Sequence, residues 1–177
     1  MKASVFAICA LWFAASAHAA LDVGAKAPMF TAPATLNGNE FEFSLAEALK
    51  KGPVVMYFYP AAFTKGCTVE AHNFAEAVDQ YHALGASIIG VSADNIDVLN
   101  KFSVSECQGK FPVASDAGRT IMQSYDAVLA AKPELSNRTS YVISPEGKVL
   151  YSHTDLLPDK HVSNTLEALK KWKADKK

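Results

Sequence analysis

The chain has 177 residues, of which 17 are basic and 18 acidic, so its formal net charge is −1. This near-neutral balance gives no support to nucleic-acid binding, which requires a basic surface. Half of the residues are hydrophobic, enough for one domain with a sizeable core.

The N-terminus has the features of a secretory signal peptide. Met1 and Lys2 form a short positive segment, an apolar run follows, and AHA at 17–19 has the small-x-small pattern of a cleavage site. We expect cleavage after Ala19 and export, in a bacterium to the periplasm. An uncleaved membrane anchor is the open alternative, and the apolar run is short for it.

Export leaves residues 20–177 as a single domain with two cysteines. Cys9 lies inside the apolar run and is removed with it, whereas Cys67 and Cys107 remain. In an oxidising compartment two cysteines usually form a structural disulfide. That interpretation has to be weighed against a redox function, and we expect no stable membrane association after cleavage.

Hydrophobic periodicity and turn residues predict the elements in chain order. They are a hairpin over 35–43 about Asn37-Gly38, a short helix over 45–51 capped by Ser44, a buried strand over 53–60, a helix over 67–85, a second buried strand over 86–94, a helix over 95–109, a short extended segment over 111–116, a short helix over 118–128, a hairpin over 138–154 and a closing helix over 161–174. This order predicts an α/β fold, in which a central mixed β-sheet is flanked by helices in a thioredoxin-like arrangement with an N-terminal extension and an inserted segment.

Reactive side chains concentrate where the first buried strand gives way to a helix. Pro60 ends the strand, and Thr64 and Cys67 lie around the start of the helix. The first amides of a helix have no internal partners and carry the positive end of its dipole, so they stabilise a thiolate and an oxygen that gains negative charge. Arg138 begins a later strand, which we expect to bring its permanent charge over the same helix end. Such a set suits attack of sulfur on a peroxide O–O bond, which gives a sulfenic acid.

Residues 60–67, PAAFTKGC, match the peroxiredoxin signature P-x-x-x-T-x-x-C. The longer stretch FYPAAFTKGCTVEAHNF at 58–74 resembles the bacterioferritin comigratory protein (BCP) or peroxiredoxin Q branch of that family, and residues 111–128 and 138–153 resemble its later segments in the right order. The resemblance implies a thiol-dependent peroxidase that reduces hydrogen peroxide or organic hydroperoxides without a metal, haem or other cofactor. It also implies a thioredoxin-like or other thiol reductant as partner, and a monomer or weak homodimer.

The resemblance also implies the role of each site residue. Cys67 is expected to be the peroxidatic cysteine, with Pro60 shielding its sulfur from water and Thr64 orienting the peroxide. Arg138 would stabilise the thiolate and the transition state, and Glu70, which matches the glutamate of the family's C-T-x-E pattern, would orient Arg138. The open alternatives are an inert buried Cys67, a Thr64 that only caps the helix, a surface Arg138, and a Glu70 that only satisfies first-turn amides.

The sequence departs from the family at the second cysteine. Many peroxiredoxin Q proteins have one five residues after the peroxidatic cysteine, where this chain has His72. Other members place it in the next helix, and we hypothesise that Cys107, near the end of that helix, resolves the Cys67 sulfenic acid as an intramolecular disulfide. A permanent structural disulfide, and a free Cys107 with resolution by an external thiol, remain alternatives.

Two other functions compete with the peroxidase. An exported thioredoxin-like disulfide oxidoreductase needs two vicinal thiols, and Thr64 occupies the first of those positions. A non-catalytic binding module on the same fold would leave Cys67 unreactive. A metal site built from His153, Asp155 and His161 has no recognised ligand spacing, so we expect these three to be solvated residues.

Overall fold

The computed structural model describes residues 20–176, so the expected signal peptide and its cleavage site lie outside the described residues. The strands are Thr31–Leu36 (β1), Asn39–Ser44 (β2), Val54–Phe58 (β3), Ser87–Ser92 (β4), Val113–Ser115 (β5), Thr139–Ile143 (β6) and Val149–Thr154 (β7). The helices are Leu45–Leu49 (α1), Lys65–Ala83 (α2), Ile96–Ser105 (α3), Thr120–Ser124 (α4) and His161–Asp175 (α5), the last preceded by a 3₁₀ turn at Pro158–Lys160. Over this part of the chain, no helix has the length and apolar character needed to cross a membrane.

The seven strands form one mixed sheet in the order β2-β1-β5-β4-β3-β6-β7. In its centre β3 pairs in parallel with β4 and antiparallel with β6. Every residue of β3 is buried, as its continuous apolar sequence predicts for a strand covered on both faces. The mixed sheet with helices confirms the expected α/β class.

Alternate residues of β3 enter two different cores, because successive side chains of a strand point to opposite faces. Val55 and Tyr57 belong to the core that includes residues of α2 and α5, whereas Val54 and Met56 belong to the core that includes residues of α1 and α4. The Tyr57 ring stacks on Phe74 of α2 with 4.3 Å between ring centroids. This contact fixes α2 against the strand that precedes it in the chain.

The predicted hairpin and first helix cap are confirmed. Asn37 and Gly38 have φ values of 52° and 76°, the left-handed conformations that a tight two-residue hairpin turn requires. Ser44 caps α1 through its side chain, which accepts a hydrogen bond from the Glu47 amide at 3.4 Å.

The prediction of a helix over 95–109 is wrong at its C-terminal end, because α3 stops at Ser105. Gln108 and Gly109 have φ values of 53° and 62°, and the Gly109 amide donates to the Ser103 carbonyl at 2.8 Å. A left-handed pair of this kind ends a helix. Cys107 consequently lies in the turn that follows the helix.

The helix predicted over 118–128 is also too long, because α4 stops at Ser124. Asp126 has a φ of 51°, which a continuing helix cannot accommodate, and Val128 instead pairs with Ser136 in an isolated β-bridge. Neither Asp126 nor Val128 is a glycine or proline, so the sequence contains no helix-breaking residue at the point where this helix ends.

The packing of Tyr57 yields a stability prediction. Tyr57 lies opposite Gly90 on β4, and a Cβ atom at position 90 would lie 2.9 Å from the Tyr57 ring. We expect Gly90→Ala to displace the ring from Phe74 and to lower the free energy of unfolding by about 1–3 kcal/mol, measured by urea unfolding.

The matched control is Gly118→Ala, since nothing lies within 4 Å of its added methyl group. This exposed position should change the unfolding free energy by less than about 0.5 kcal/mol. Equal stability of the two variants would contradict the account of how α2 is held.

Candidate active site

The register between β3 and β6 brings the two halves of the candidate site together. Phe58 pairs with Thr139 in the antiparallel ladder, so Arg138, one residue before β6, lies at the sheet edge where β3 ends. The chain that leaves β3 at this edge enters α2 seven residues later. Arg138 and the start of α2 are therefore neighbours, although about 70 residues separate them in sequence.

The loop between β3 and α2 is anchored by Asp94, which the sequence analysis did not single out. Its Oδ2 accepts hydrogen bonds from the Ala62 amide at 2.8 Å and from the Ser92 hydroxyl at 2.9 Å. Phe63, the next residue, has a φ of 63°, a strained value for a bulky side chain. In the sequence, the only indication of this role is that Asp94 directly follows a buried strand of a parallel pair. Functional polar residues are common at the carboxyl ends of such strands.

Thr64 is the residue that immediately precedes α2, and its side chain is exposed. Its hydroxyl makes no capping bond to a helix amide and donates instead to the Ala61 carbonyl at 3.0 Å. The alternative in which the Thr64 side chain only caps the helix is therefore wrong, and the hydroxyl oxygen keeps lone pairs for an incoming O–H donor. Helical bonding starts with the Thr68 amide, which donates to the Thr64 carbonyl at 2.9 Å, so the amides of residues 65–67 have no helical acceptor.

Cys67, Arg138 and Glu70 form one buried cluster. The Arg138 Nη2 lies 3.5 Å from the Cys67 Sγ, and its Nη1 donates to Oε2 of Glu70. The Arg138 Nε donates to the Leu156 carbonyl at 2.9 Å, which fixes the plane of the guanidinium. Cys67 is 1% exposed and Glu70 is fully buried. Arg138 is buried as well, so its interpretation as a surface residue is wrong.

Burial and charge oppose each other in this cluster. Burial raises the pKa of Glu70 to about 8, and the neighbouring Arg138 charge offsets only part of that effect. Burial alone would lower the pKa of Arg138, but Glu70 and Cys67 hold that pKa above its usual value. The guanidinium is therefore a permanent charge placed between two acidic groups.

Glu70 also faces a histidine that the sequence analysis placed in solvent. His161, the first residue of α5, is fully buried, and its Nδ1 lies 3.6 Å from Oε1 of Glu70. The expectation that His161 is solvated is wrong, because it shares the buried face of α5 with Thr165 and Leu169. Its spacing of four and eight residues from them was the signal that could have revealed this. No group of three or more metal-ligating side chains occurs within residues 20–176.

The remaining candidates lie at different depths. Pro60 is half-buried at the end of the strand. Cys67 and Cys107 carry free thiols, and both belong to the core on the α2 side of the sheet. Burial, assisted by the Glu106 carboxylate, raises the pKa of the Cys107 thiol well above its usual value. His72 faces this turn, and its Nε2 lies 3.2 Å from Oε2 of Glu106.

Gly66 provides a test of the contact between Arg138 and Cys67. A Cβ atom at position 66 would lie 2.9 Å from the Arg138 Nη2. Alanine suits a helix better than glycine, so Gly66→Ala should fold normally while it pushes the guanidinium away from the sulfur. We expect the second-order rate constant of Cys67 with hydrogen peroxide to fall about ten-fold, or ~1.4 kcal/mol.

The rate constant is measured by stopped-flow fluorescence and checked by intact mass. Gly118→Ala serves again as the control, because its methyl group meets no neighbour. A Gly66→Ala variant that reacts as fast as this control would show that the close approach of Arg138 contributes nothing.

The sequence profile of the AhpC/TSA family matches residues 23–152 of the chain. A putative peroxiredoxin bcp of Coxiella burnetii is 29% identical over 154 residues, which cover 84% of this chain and 99% of that protein. A chloroplastic peroxiredoxin Q of Oryza sativa subsp. japonica is 31% identical over 147 residues, which cover 82% of this chain and 65% of that protein. The chain thus spans slightly less than two thirds of the length of this rice relative.

Two solved structures resemble the fold closely. Peroxidoxin BcpB from Mycobacterium tuberculosis has a TM-score of 0.77 at 30% identity, with 87% of this chain and 98% of that chain covered. Peroxiredoxin Q from Xanthomonas campestris has a TM-score of 0.70 at 29% identity, with 80% and 90% covered. They confirm the expected thioredoxin-like fold of the peroxiredoxin type. The chain belongs to the AhpC/TSA family, and its relatives place it in the BCP and peroxiredoxin Q branch of the peroxiredoxins.

Proposed function

We propose that the protein is a thiol-dependent peroxidase that reduces hydrogen peroxide and organic hydroperoxides through Cys67. One observation carries the proposal: the buried Arg138 guanidinium contacts the Cys67 sulfur with one nitrogen and donates a hydrogen bond to the Glu70 carboxyl group with another. This geometry stabilises a thiolate and leaves a fixed positive charge beside the oxygen that the sulfur attacks. A non-catalytic binding module has no need for such an arrangement.

The proposed reaction begins with attack of the Cys67 thiolate on the nearer peroxide oxygen. The S–O bond forms as the O–O bond breaks, so Cys67 becomes a sulfenic acid and the second oxygen leaves as an anion that takes up one proton. The free amides of residues 65–67 and the Arg138 guanidinium stabilise that anion. Thr64 receives the O–H of the substrate, and the half-buried Pro60 keeps water from the sulfur.

We assign resolution of the sulfenic acid to Cys107. Its thiol would displace water from the Cys67 sulfenic acid and form a disulfide, which needs the two Cα atoms within about 7 Å. Because both sulfurs are buried and Cys107 lies in the turn just before the left-handed Gln108 and Gly109, the turn after α3 and the first turn of α2 would have to open locally. Resolution by an external thiol is the alternative.

The regenerating partner is proposed to be a thioredoxin-like protein, because the disulfide must return to two thiols by exchange. Exposed apolar residues adjoin the site: Phe63 precedes Thr64, and the carbonyl of Leu156 accepts a hydrogen bond from Arg138. They support acceptance of hydroperoxides with an apolar group as well as hydrogen peroxide itself.

The cellular setting is proposed from the sequence. The signal-peptide pattern of residues 1–19 supports export to the bacterial periplasm, a single mature domain over 20–177, and no stable membrane association after cleavage. A monomer or weak homodimer is proposed from the family branch. A thioredoxin-like oxidoreductase is not favoured, because Thr64 stands where that chemistry needs its first thiol.

Intact mass spectrometry after one equivalent of hydrogen peroxide tests the cycle. The wild type should lose two hydrogens, and Cys107→Ser should gain one oxygen on Cys67, trappable by a dimedone-type reagent. Cys67→Ser, the control, should not change mass. A sulfenic acid on Cys67 in the wild type as well would overturn the role of Cys107, and an unreactive Cys67 in both proteins would overturn the peroxidase.

A further inference from the structure

The hydroxyl group of Tyr57 is buried without a hydrogen-bond partner among the residues that the structure describes. A buried phenol hydroxyl usually finds such a partner. In the unfolded chain water binds this hydroxyl, so folding removes hydrogen bonds and returns none. The hydroxyl therefore weakens the packed state, although the ring that carries it strengthens that state by stacking on Phe74.

Other buried tyrosines of the chain keep their hydroxyl groups paired. The Tyr81 hydroxyl lies 2.7 Å from the Thr165 hydroxyl, and the Tyr125 hydroxyl donates to the Pro28 carbonyl at 2.7 Å. The chain thus has the means to satisfy buried phenols, and Tyr57 departs from that pattern.

Tyr59, two residues further on, is a weaker case of the same kind. Its hydroxyl also has no partner within hydrogen-bond distance. Burial raises the pKa of Tyr59, but the Ser92 hydroxyl offsets part of that effect. Burial likewise raises the pKa of Tyr57 well above its usual value, and no hydrogen-bonding group of the described residues offsets it there.

The segment that carries Cys107 packs on these two tyrosines at both of its ends. The Phe102 ring stacks on Tyr59 with 5.4 Å between centroids, and the Phe111 ring meets Tyr57 edge-on at 6.0 Å. Cys107 lies between these two phenylalanines in sequence and is fully buried in the same core. After burial, Cys107 is the group that raises the pKa of Tyr57 most, as expected for a thiol and a hydroxyl in one part of the core.

The backbone hydrogen bonds of the Cys107 turn stay within its own segment. The Cys107 amide donates to the Phe102 carbonyl at 3.1 Å, the Gly109 amide to the Ser103 carbonyl at 2.8 Å, and the Lys110 amide to the Cys107 carbonyl at 3.0 Å. The turn can therefore leave the core without breaking a backbone bond to another element. Side-chain packing is what mainly holds it in place.

We propose that the Tyr57 hydroxyl is a destabilising element built into the seat of the Cys107 turn, which favours the local opening that releases Cys107 from the core. With the turn closed, the hydroxyl is unpaired. When the turn leaves, water reaches the hydroxyl and supplies the hydrogen bonds that it lacks. The open state is stabilised relative to the closed one by this difference.

The inference deepens the proposed function, on which it rests for the use of the opening. Cys107 is buried, so it can meet the Cys67 sulfenic acid only after its turn has left the core. The opening itself belongs to the reduced protein and needs no peroxide. It can therefore be measured whether or not the peroxidase cycle operates.

The test is the rate at which iodoacetamide alkylates Cys107 in reduced protein that carries Cys67→Ser, followed by the mass of the Cys107 peptide. Tyr57→Phe removes the hydroxyl and keeps the ring. Tyr81→Phe is the matched control, because the Tyr81 ring belongs to the same core and also stacks on Phe74, but its hydroxyl is paired.

We expect Tyr57→Phe to slow the alkylation of Cys107 about ten-fold. The effect should be present at low urea, where the rate changes little with urea because a local opening exposes little surface. Tyr57→Phe should unfold at the same urea concentration as its parent or at a higher one. Tyr81→Phe should not slow alkylation and should unfold at a lower concentration, since it loses a paired hydroxyl.

Alkylation in Tyr57→Phe that is as fast as in the parent, or faster, would overturn the proposal. Slowing that is confined to the steeply urea-dependent range would also overturn it, because the hydroxyl would then act on global unfolding alone.

Disulfide formation after one equivalent of hydrogen peroxide, measured with Cys67 intact, separates this inference from the proposed function. Both hold if the Cys67–Cys107 disulfide forms and forms more slowly in Tyr57→Phe. Slow alkylation in Tyr57→Phe without any disulfide in the wild type would confirm the opening and contradict the role of Cys107 in resolution.

Discussion

A single guanidinium shared by a sulfur and a carboxyl group is the constraint on which the site depends. Arg138 is nearly fully buried and cannot lose its charge, so burying it carries a desolvation cost of several kcal/mol that its partners must offset. Glu70 and Cys67 are those partners, and the Leu156 carbonyl satisfies a third donor. Removing both acidic partners would leave a buried charge without compensation. Glu70 of α2 and Arg138, just before β6, thus have both a structural and a chemical role.

The fold meets this constraint through register and close packing. The antiparallel pairing of β3 and β6 sets Arg138 beside the end of β3, and the stacking of Tyr57 on Phe74 holds α2 over the same edge. Gly66 then admits the guanidinium, because a side chain there would lie against its Nη2. Loop strain at Phe63 is tolerated because Asp94 ties the preceding amide to the next strand. The reactive geometry therefore belongs to the sheet and helix rather than to a flexible loop.

Much of this could be predicted from the sequence, because the determining signals are local. The apolar run of β3, the Thr64 and Cys67 pair at a helix start, and Arg138 at the start of a strand identified both halves of the site. The ends of α3 and α4 could not be predicted, since Gln108 and Asp126 adopt left-handed conformations that their residue types do not announce. The burial of His161 and the anchoring role of Asp94 depend on contacts between distant segments. Periodicity along α5 pointed to the first of these, but its histidine was interpreted by residue type alone.

The most direct test of the account is the reaction of Cys67 with hydrogen peroxide in Arg138→Lys, followed by stopped-flow fluorescence at pH 7. Lysine keeps the positive charge but cannot contact a sulfur and a carboxylate with separate nitrogens. The account predicts that the second-order rate constant falls by about 10²-fold while the folded structure persists by circular dichroism. A rate constant within a factor of about three of the wild type, or ~0.7 kcal/mol, would show that a nearby positive charge suffices and would contradict the shared guanidinium as the basis of the site.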